Sequence, residues 1–173
     1  TTQLKVNYGE NPIQYVQNLT DYFANFPSEE NTLFLCMDVL EHLENENEIL
    51  NHLTQKNNYF LFAVPAFQSV FSNHDVLLGH YRRYNLKQLQ NVLKQHHFQI
   101  QDKGYYFTSL LLVRWMERIF NKNKKASIDN WTGSSMTSKL ITSVLQLDFG
   151  FTHLLQKFGI RMYGLSCYCI CKK

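Results

Sequence analysis

Long apolar runs are missing from this sequence of 173 residues, and none approaches the roughly 20 residues that a membrane-spanning helix requires. The first residues also lack the charged and apolar regions of a secretory signal peptide. The net charge is only +3, without the concentrated basic patch of nucleic-acid-binding domains. We therefore expect a cytoplasmic protein without a membrane span, and nucleic acid is not an expected partner.

Cysteine is scarce, and the spacing of the four residues excludes a zinc knuckle, which needs C-x-x-C. Three of them, Cys167, Cys169 and Cys171, alternate along the chain, so on a strand their side chains point to one side. The fourth, Cys36, lies in an apolar run. The pattern predicts reduced thiols that pack as small core residues, as is usual in the cytoplasm.

Two apolar runs stand out, and each ends abruptly in polar residues. Residues 33–37 run into Asp38, Glu41 and His42, and residues 59–64 are followed, after Pro65, by a loop that holds His74, Asp75 and His80. Buried parallel strands have this apolar character, and ligands of open α/β sheets bind beyond their carboxyl ends. We expect segments 38–42 and 74–83 to meet at one rim of the sheet.

Strand-like and helix-like segments alternate along the first two thirds of the chain. Strands are predicted at residues 13–19, 32–37, 59–64, 98–107 and 163–171. The strand at 98–107 is expected to be interrupted at Gly104. Helices are predicted at 45–55 and at 86–97, the second with Asn85 and Gln88 as a capping box. Residues 109–160 contain further helices, at 109–120 and 136–158, with Gly150 and Gly159 as breaks. This order predicts a doubly wound α/β sheet with a late helical insertion.

Three motifs in order give the chain a family resemblance: D-V-L-E-H at residues 38–42, V-P-A-F-Q at 64–68 and S-N-H-D-V-L-L-G-H-Y-R-R-Y at 72–84. With the closing residues 164–172, the sequence resembles class I S-adenosylmethionine-dependent methyltransferases. The resemblance implies one Rossmann-like domain over residues 1–173, with a mostly parallel sheet and an antiparallel last strand. Residues 109–160 would be a helical insertion between the last two strands.

One part of the family pattern is absent. These enzymes carry a glycine-rich loop, G-x-G-x-G, after their first strand, and none of the seven glycines here forms it. We therefore expect a methyltransferase domain that is truncated at its N-terminus. The chain by itself is expected to bind the cofactor poorly and could be inactive.

The resemblance also implies roles for individual residues. Cys36, Met37, Asp38 and His42 would contact the cofactor S-adenosylmethionine, and Asp38 has the alternative role of capping the turn that follows. His74 and His80 are the candidate catalytic bases, with the alternative that a His–Asp pair only orders the loop. Tyr81, Arg82 and Arg83 would face the substrate, although the two arginines could instead pair with internal carboxylates.

A divalent metal is a further implication, because some relatives bind one with E-x-x-E-H at this position. Here the motif reads D-x-x-E-H, and Glu41, His42 and His74 are the candidate ligands, with His80 as another source. A metal there would orient an acceptor oxygen and lower its pKa. The alternative is that His42 only bonds the backbone.

Function follows from the resemblance as methyl transfer to a small-molecule or lipid-like acceptor. The alternative is a non-catalytic module that acts in binding or assembly. The apolar faces and lysines of residues 109–160 fit peripheral membrane contact or a lid over a lipid-like acceptor. They fit equally a helix that covers the sheet or a homodimer contact. The acceptor and the atom methylated are not indicated.

Overall fold

The computed structural model describes residues 7–8, 11–12, 33–53, 58–120, 135–160 and 162–173. Two short strands pair antiparallel, and four others form the main sheet. The six strands are β1 (Asn7–Tyr8), β2 (Asn11–Pro12), β3 (Leu33–Met37), β4 (Tyr59–Pro65), β5 (Gln99–Tyr106) and β6 (Ser166–Lys172). The strand predicted at residues 13–19 lies outside the described residues.

The main sheet has the strand order β3-β4-β6-β5 in the described part of the chain. β3 pairs with β4 in parallel, whereas β6 pairs antiparallel with both β4 and β5. Consequently β3, β4 and β5 point the same way and only the last strand is reversed. The predicted Rossmann-like α/β sheet, mostly parallel with an antiparallel last strand, is confirmed.

In the described ranges, five α-helices and two 3-10 turns connect these strands. The helices are α1 (Asn47–Leu50), α2 (Asn73–Leu77), α3 (Leu86–Gln95), α4 (Thr108–Phe120) and α5 (Ser135–Lys157), and the 3-10 turns span Leu40–His42 and Gln68–Val70. Both α4 and α5 lie between β5 and β6, where the insertion was predicted. That the chain is one domain stays a prediction. Among the described helices, none combines the length and the apolar character needed to cross a membrane.

The start of α3 follows the sequence signal closely. The Asn85 side chain accepts a hydrogen bond from the Gln88 backbone N–H at 2.8 Å, and the Gln88 side chain accepts from the Asn85 N–H at 2.8 Å. This capping box satisfies two backbone donors that the first helical turn leaves free. Leu89 and Leu93 are fully buried and fix the helix on the sheet.

Aromatic rings and thiols build the core on that side of the sheet. Phe98 lies edge-on to Phe60 and Phe62, with ring centroids 5.0 and 5.2 Å apart. The alternating cysteines of β6 are fully buried among them and are free thiols, as is Cys36. Burial raises the pKa of all four thiols to about 12, so they are protonated and chemically inert. The predicted core role of the cysteines is confirmed.

Three predicted boundaries were wrong. The helix expected at residues 45–55 is the single turn α1, in a stretch rich in asparagine, whose side chain competes with the backbone for hydrogen bonds. Gly150 was expected to break a helix, but α5 runs through it, because one glycine costs a helix only about 1 kcal/mol. Gly104 does not interrupt β5, although a bulge lies between Ile100 and Asp102.

The insertion leaves and rejoins the sheet at one place. Tyr106 and Ser166 are register partners of β5 and β6, and the Leu165 N–H donates to the Phe107 carbonyl at 3.1 Å. Gly164 lies against the Tyr106 backbone so closely that any Cβ would overlap the Tyr106 carbonyl. Only glycine permits this approach of the two backbones.

Candidate functional site

Two loops meet where β3 and β4 end. The chain leaves β3 at Asp38, whose φ is +52° and whose N–H donates to the Ala63 carbonyl of β4 at 2.9 Å. The loop after β4 then returns, and the Tyr81 N–H donates to the Glu41 carbonyl at 2.8 Å. The expected meeting of segments 38–42 and 74–83 at one rim of the sheet is confirmed.

Three ionisable side chains converge at this rim. One carboxylate oxygen of Glu41 and one ring nitrogen each of His42 and His80 all lie within 4.8 Å of one another. The two imidazole rings are edge-to-face, with centroids 4.6 Å apart. Glu41 is buried, His80 is half-buried and His42 is exposed, so the cluster opens to solvent on one side. Of the two histidines considered as a third ligand, His80 belongs to this cluster and His74 does not.

Glu41 has an unusual environment for a carboxylate. Its side chain is fully buried, and neither oxygen has a hydrogen-bond partner among the described residues. Burial raises the pKa of Glu41 to about 7, the negative charge of Asp38 adds to the increase, and Arg83 opposes it. A buried carboxyl without partners costs stability when ionised, which is typical of sites that bind a cation or a proton.

Asp75 is the polar centre of the second loop. Its buried carboxylate accepts from the Ser72 N–H at 2.8 Å, from Arg83 Nε at 2.7 Å and lies 3.1 Å from His80 Nδ1. Burial raises the pKa of Asp75, but the hydrogen bond and charge of Arg83, with the bonds to Ser72 and His80, outweigh it and lower the pKa. Since an ionised carboxylate can only accept, His80 Nδ1 is the donor to Asp75, and in the neutral ring Nε2 is then the nitrogen with the free lone pair.

A glycine brings His80 to Asp75. Helix α2 ends at Leu77, and the turn that follows contains Gly79, where φ is +77°, a conformation that favours glycine. The chain reverses there, and the His80 N–H donates to the Asp75 carbonyl at 2.9 Å. The His–Asp pair left open by the sequence is therefore His80 with Asp75.

Both arginines of the second loop have internal carboxylate partners. Arg82 Nη1 lies 2.6 Å from Glu46 Oε2, and its Nη2 donates to the carbonyls of Leu43 and Glu44. Arg83 is buried and binds Asp75. Of the two alternatives for Arg82 and Arg83, the structure therefore contains the internal one. Their contact with a substrate stays a prediction and would require one of these ion pairs to open.

The residues predicted to hold the cofactor divide between two faces of the sheet. The Cys36 side chain is buried in the core, so only its backbone faces the rim. Met37, Asp38 and His42 are exposed beside it, as is Tyr81 of the opposite loop. The side chains of these four residues are therefore available to ligands.

An apolar cavity of about 410 Å³ adjoins the second loop. It is bounded by the turn after β4, by α4 and by the segment that returns to β6; its lining comprises Phe67, Ser69, Val70, Thr108, Leu111, Leu112, Trp115, Met162 and Tyr163. Phe67 stacks on Tyr105 with centroids 5.3 Å apart. The sequence marked the apolar face of α4 but gave no sign that Met162 and Tyr163 would close a cavity against it.

The cavity is connected to the ionisable cluster through hydrogen bonds. Gln68 lies between the lining residues Phe67 and Ser69, and its side chain accepts from the Arg83 N–H at 2.8 Å. Arg83 in turn binds the Asp75 carboxylate that holds His80. Gln68, Arg83 and Asp75 therefore form a continuous polar chain from the edge of the cavity to His80.

No family model matches this chain, and no curated protein does. Among solved structures, it is similar to the crystal structure of a SAM-dependent methyltransferase from Archaeoglobus fulgidus, with a TM-score of 0.49 and 17% sequence identity. The similarity covers 91% of this chain and 66% of that chain, so this chain spans just under two thirds of that protein. The function of this chain is therefore inferred from its motifs and from the geometry of its site.

Proposed function

We propose that this chain takes part in methyl transfer from S-adenosylmethionine to a small-molecule or lipid-like acceptor, at the rim where β3 and β4 end. The observation that carries the proposal is the convergence of Glu41, His42 and His80 within 4.8 Å. These residues come from two distant motifs that resemble those of class I methyltransferases. They meet at the carboxyl ends of parallel strands, and this is the place where α/β sheets bind their ligands.

The first loop fits the methionine end of the cofactor. When bound, S-adenosylmethionine supplies a methyl group on a positively charged sulfonium. Met37 and Asp38 are exposed at the end of β3 and would hold that end, where the Asp38 carboxylate favours positive charge. The sequence has no G-x-G-x-G loop. Among the described residues, we assign no comparable set to the adenosine end.

His80 is the residue we assign as the base. Asp75 fixes the imidazole with Nδ1 protonated, so Nε2 can take the proton from an acceptor hydroxyl or amine as the methyl group arrives. Arg83 and Ser72 hold Asp75 in turn. The histidine is thus positioned before the acceptor binds, and this positioning lowers the barrier to reaction.

The apolar cavity supports an acceptor with a substantial apolar part. Its walls offer rings and aliphatic side chains with only a few hydroxyl groups, from Ser69, Thr108 and Tyr163. Pockets of this kind bind apolar ligands and use a few polar groups to orient them. The reacting hydroxyl or amine would then point toward His80.

A divalent metal is a second role that the cluster fits. A buried carboxylate without partners and two imidazoles are the donor set of Fe²⁺, Mn²⁺ and Zn²⁺ sites. Glu41, His42 and His80 would hold the ion, which when bound lowers the pKa of an acceptor oxygen. Because the His80 Nε2 lone pair can bind either a proton or a metal, the base and the ligand are alternative roles for His80.

The proposal predicts binding of the product S-adenosylhomocysteine. In isothermal titration calorimetry with this chain, we expect saturable heat, with an affinity weaker than micromolar because the sequence has no G-x-G-x-G loop. Adenosine is the matched control and should bind more weakly, because it lacks the amino-acid part that Met37 and Asp38 would contact. If no heat appears with millimolar S-adenosylhomocysteine, the non-catalytic binding or assembly module is the better account.

Substitution at His80 tests its role as the base. With S-adenosylmethionine labelled in its methyl group and a total lipid extract as acceptor, we expect His80→Gln to lower the rate about 100-fold. His52→Gln, at a histidine that belongs to neither loop, should leave the rate unchanged. A greater loss for His74→Gln than for His80→Gln would make His74 the base and would contradict the assignment made here.

A further inference from the structure

Helices α4 and α5 expose much more apolar surface than a folded domain normally leaves in water. Phe120, Phe158 and Leu147 are 76%, 75% and 74% exposed, and Trp115 and Ile119 are also more than half exposed. Among the α5 side chains that the structure describes, only Thr152 is buried. Exposed apolar residues in such number normally mark a binding face.

Charge is distributed unevenly between this segment and the rest of the chain. Residues 108–160 contain seven Lys and Arg against three Asp and Glu, whereas the remaining residues contain ten against eleven. The positive charge of the protein is therefore concentrated in the insertion. Both tryptophans of the chain, Trp115 and Trp131, also lie in it.

We propose that α4 and α5 bind the surface of an anionic lipid bilayer. Apolar residues combined with tryptophan and basic side chains are typical of helices that lie in the headgroup region of a membrane. Exposed Lys139 and Lys157 flank the apolar residues of α5 and would contact lipid phosphates. The occupant is thus a lipid surface, because an apolar protein partner would not require the excess of positive charge.

The position of the cavity agrees with this orientation. Leu111, Leu112 and Trp115 of α4 line it, and Leu112 and Trp115 also belong to the exposed face of the helix. A protein docked through α4 would therefore hold the cavity close to the bilayer. The membrane contact itself requires neither cofactor nor methyl transfer, so it can be tested independently of the proposed function.

Vesicle flotation of the full chain tests the contact, with phosphatidylcholine vesicles that contain or lack phosphatidylglycerol. We expect the protein to float with the anionic vesicles, and its tryptophan emission to shift to shorter wavelength on binding. Ile119→Ser with Phe120→Ser should lower the affinity at least about tenfold, because two exposed apolar side chains no longer enter the lipid. Lys139→Glu with Lys157→Glu should lower it roughly tenfold for anionic vesicles only.

The matched control is Leu33→Ser with Leu35→Ser, which removes two equally exposed apolar residues from β3. This variant should float like the unmodified protein, and far-ultraviolet circular dichroism should show that each variant is folded. Absence of flotation with anionic vesicles would overturn the proposal. So would a dimer in light scattering that dissociates in the Ile119 and Phe120 variant while vesicles have no effect, since the face would then bind a second copy.

Discussion

Replacement of Arg83 by methionine is expected to lower the free energy of unfolding by about 3–5 kcal/mol. The guanidinium and the Asp75 carboxylate are both buried, with Nε 2.7 Å from Oδ1. Methionine would leave the carboxylate buried without its cation, and the desolvation cost of that charge would no longer be offset. Urea unfolding at neutral pH, followed by circular dichroism, measures the change.

The neighbouring arginine provides the matched control. Arg82 pairs with Glu46 at a site where both side chains are partly exposed, so Arg82→Met should cost only about 1 kcal/mol. The double variant, Arg83→Met with Asp75→Asn, should be more stable than Arg83→Met alone, because the unpaired charge of Asp75 is removed as well. Equal losses for Arg82→Met and Arg83→Met would contradict the central role of the Arg83–Asp75 pair.

Replacement of Glu41 by glutamine is expected to raise the free energy of unfolding more at pH 8 than at pH 5. The folded pKa of about 7 lies above the ordinary value of 4.5, so the stability contributed by the protonated carboxyl is lost as pH rises through 7. At about 1.4 kcal/mol per pKa unit, ionised Glu41 costs the folded protein about 3 kcal/mol. Glutamine mimics the neutral acid and avoids this cost, and urea unfolding of both proteins at the two pH values measures it.

Comparison of the two proteins at each pH cancels the titration of all other groups. A pH-independent difference between them would show that Glu41 ionises normally.

Addition of Mn²⁺ extends the experiment to the metal. If the cluster binds the ion, Mn²⁺ should stabilise the unmodified protein by about 2.7 kcal/mol at a hundredfold excess over its Kd. Glu41→Gln and His42→Ala should abolish this stabilisation, and its absence from the unmodified protein would remove the metal from the account.

Local signals in the sequence predicted most of the sheet and the start of α3. The residues of β3 and β4 need no distant partner to identify them as strands, because both are apolar runs bounded by polar residues. The expected burial holds for β4 but was wrong for β3, where only Cys36 is buried because the strand is last in the sheet order of the described residues. The Asn85 capping box is likewise contained within four residues. Such features are set by short-range hydrogen bonds and by burial, which a single sequence records directly.

The details of the site depend on contacts between distant residues, and these could not be predicted. Arg82 and Glu46 are 36 residues apart, and nothing in either segment indicates the other. The burial of Glu41 follows from how the second loop covers the first. The pairing of His80 with Asp75 depends on the positive φ of Gly79, where the chain reverses direction. A glycine is visible in the sequence, but the direction in which it sends the chain is not.

The contact of Gly164 with the Tyr106 backbone and the bond from Leu165 to Phe107 bring the two ends of the helical segment together. The strands on either side are already neighbours in an antiparallel pair, so a short hairpin could in principle join them. The length of the helical insertion is thus independent of β3 and β4, whose following loops contain Glu41, His42 and His80. The helical insertion can therefore be lengthened, shortened or replaced without a change in the strands from which segments 38–42 and 74–83 extend.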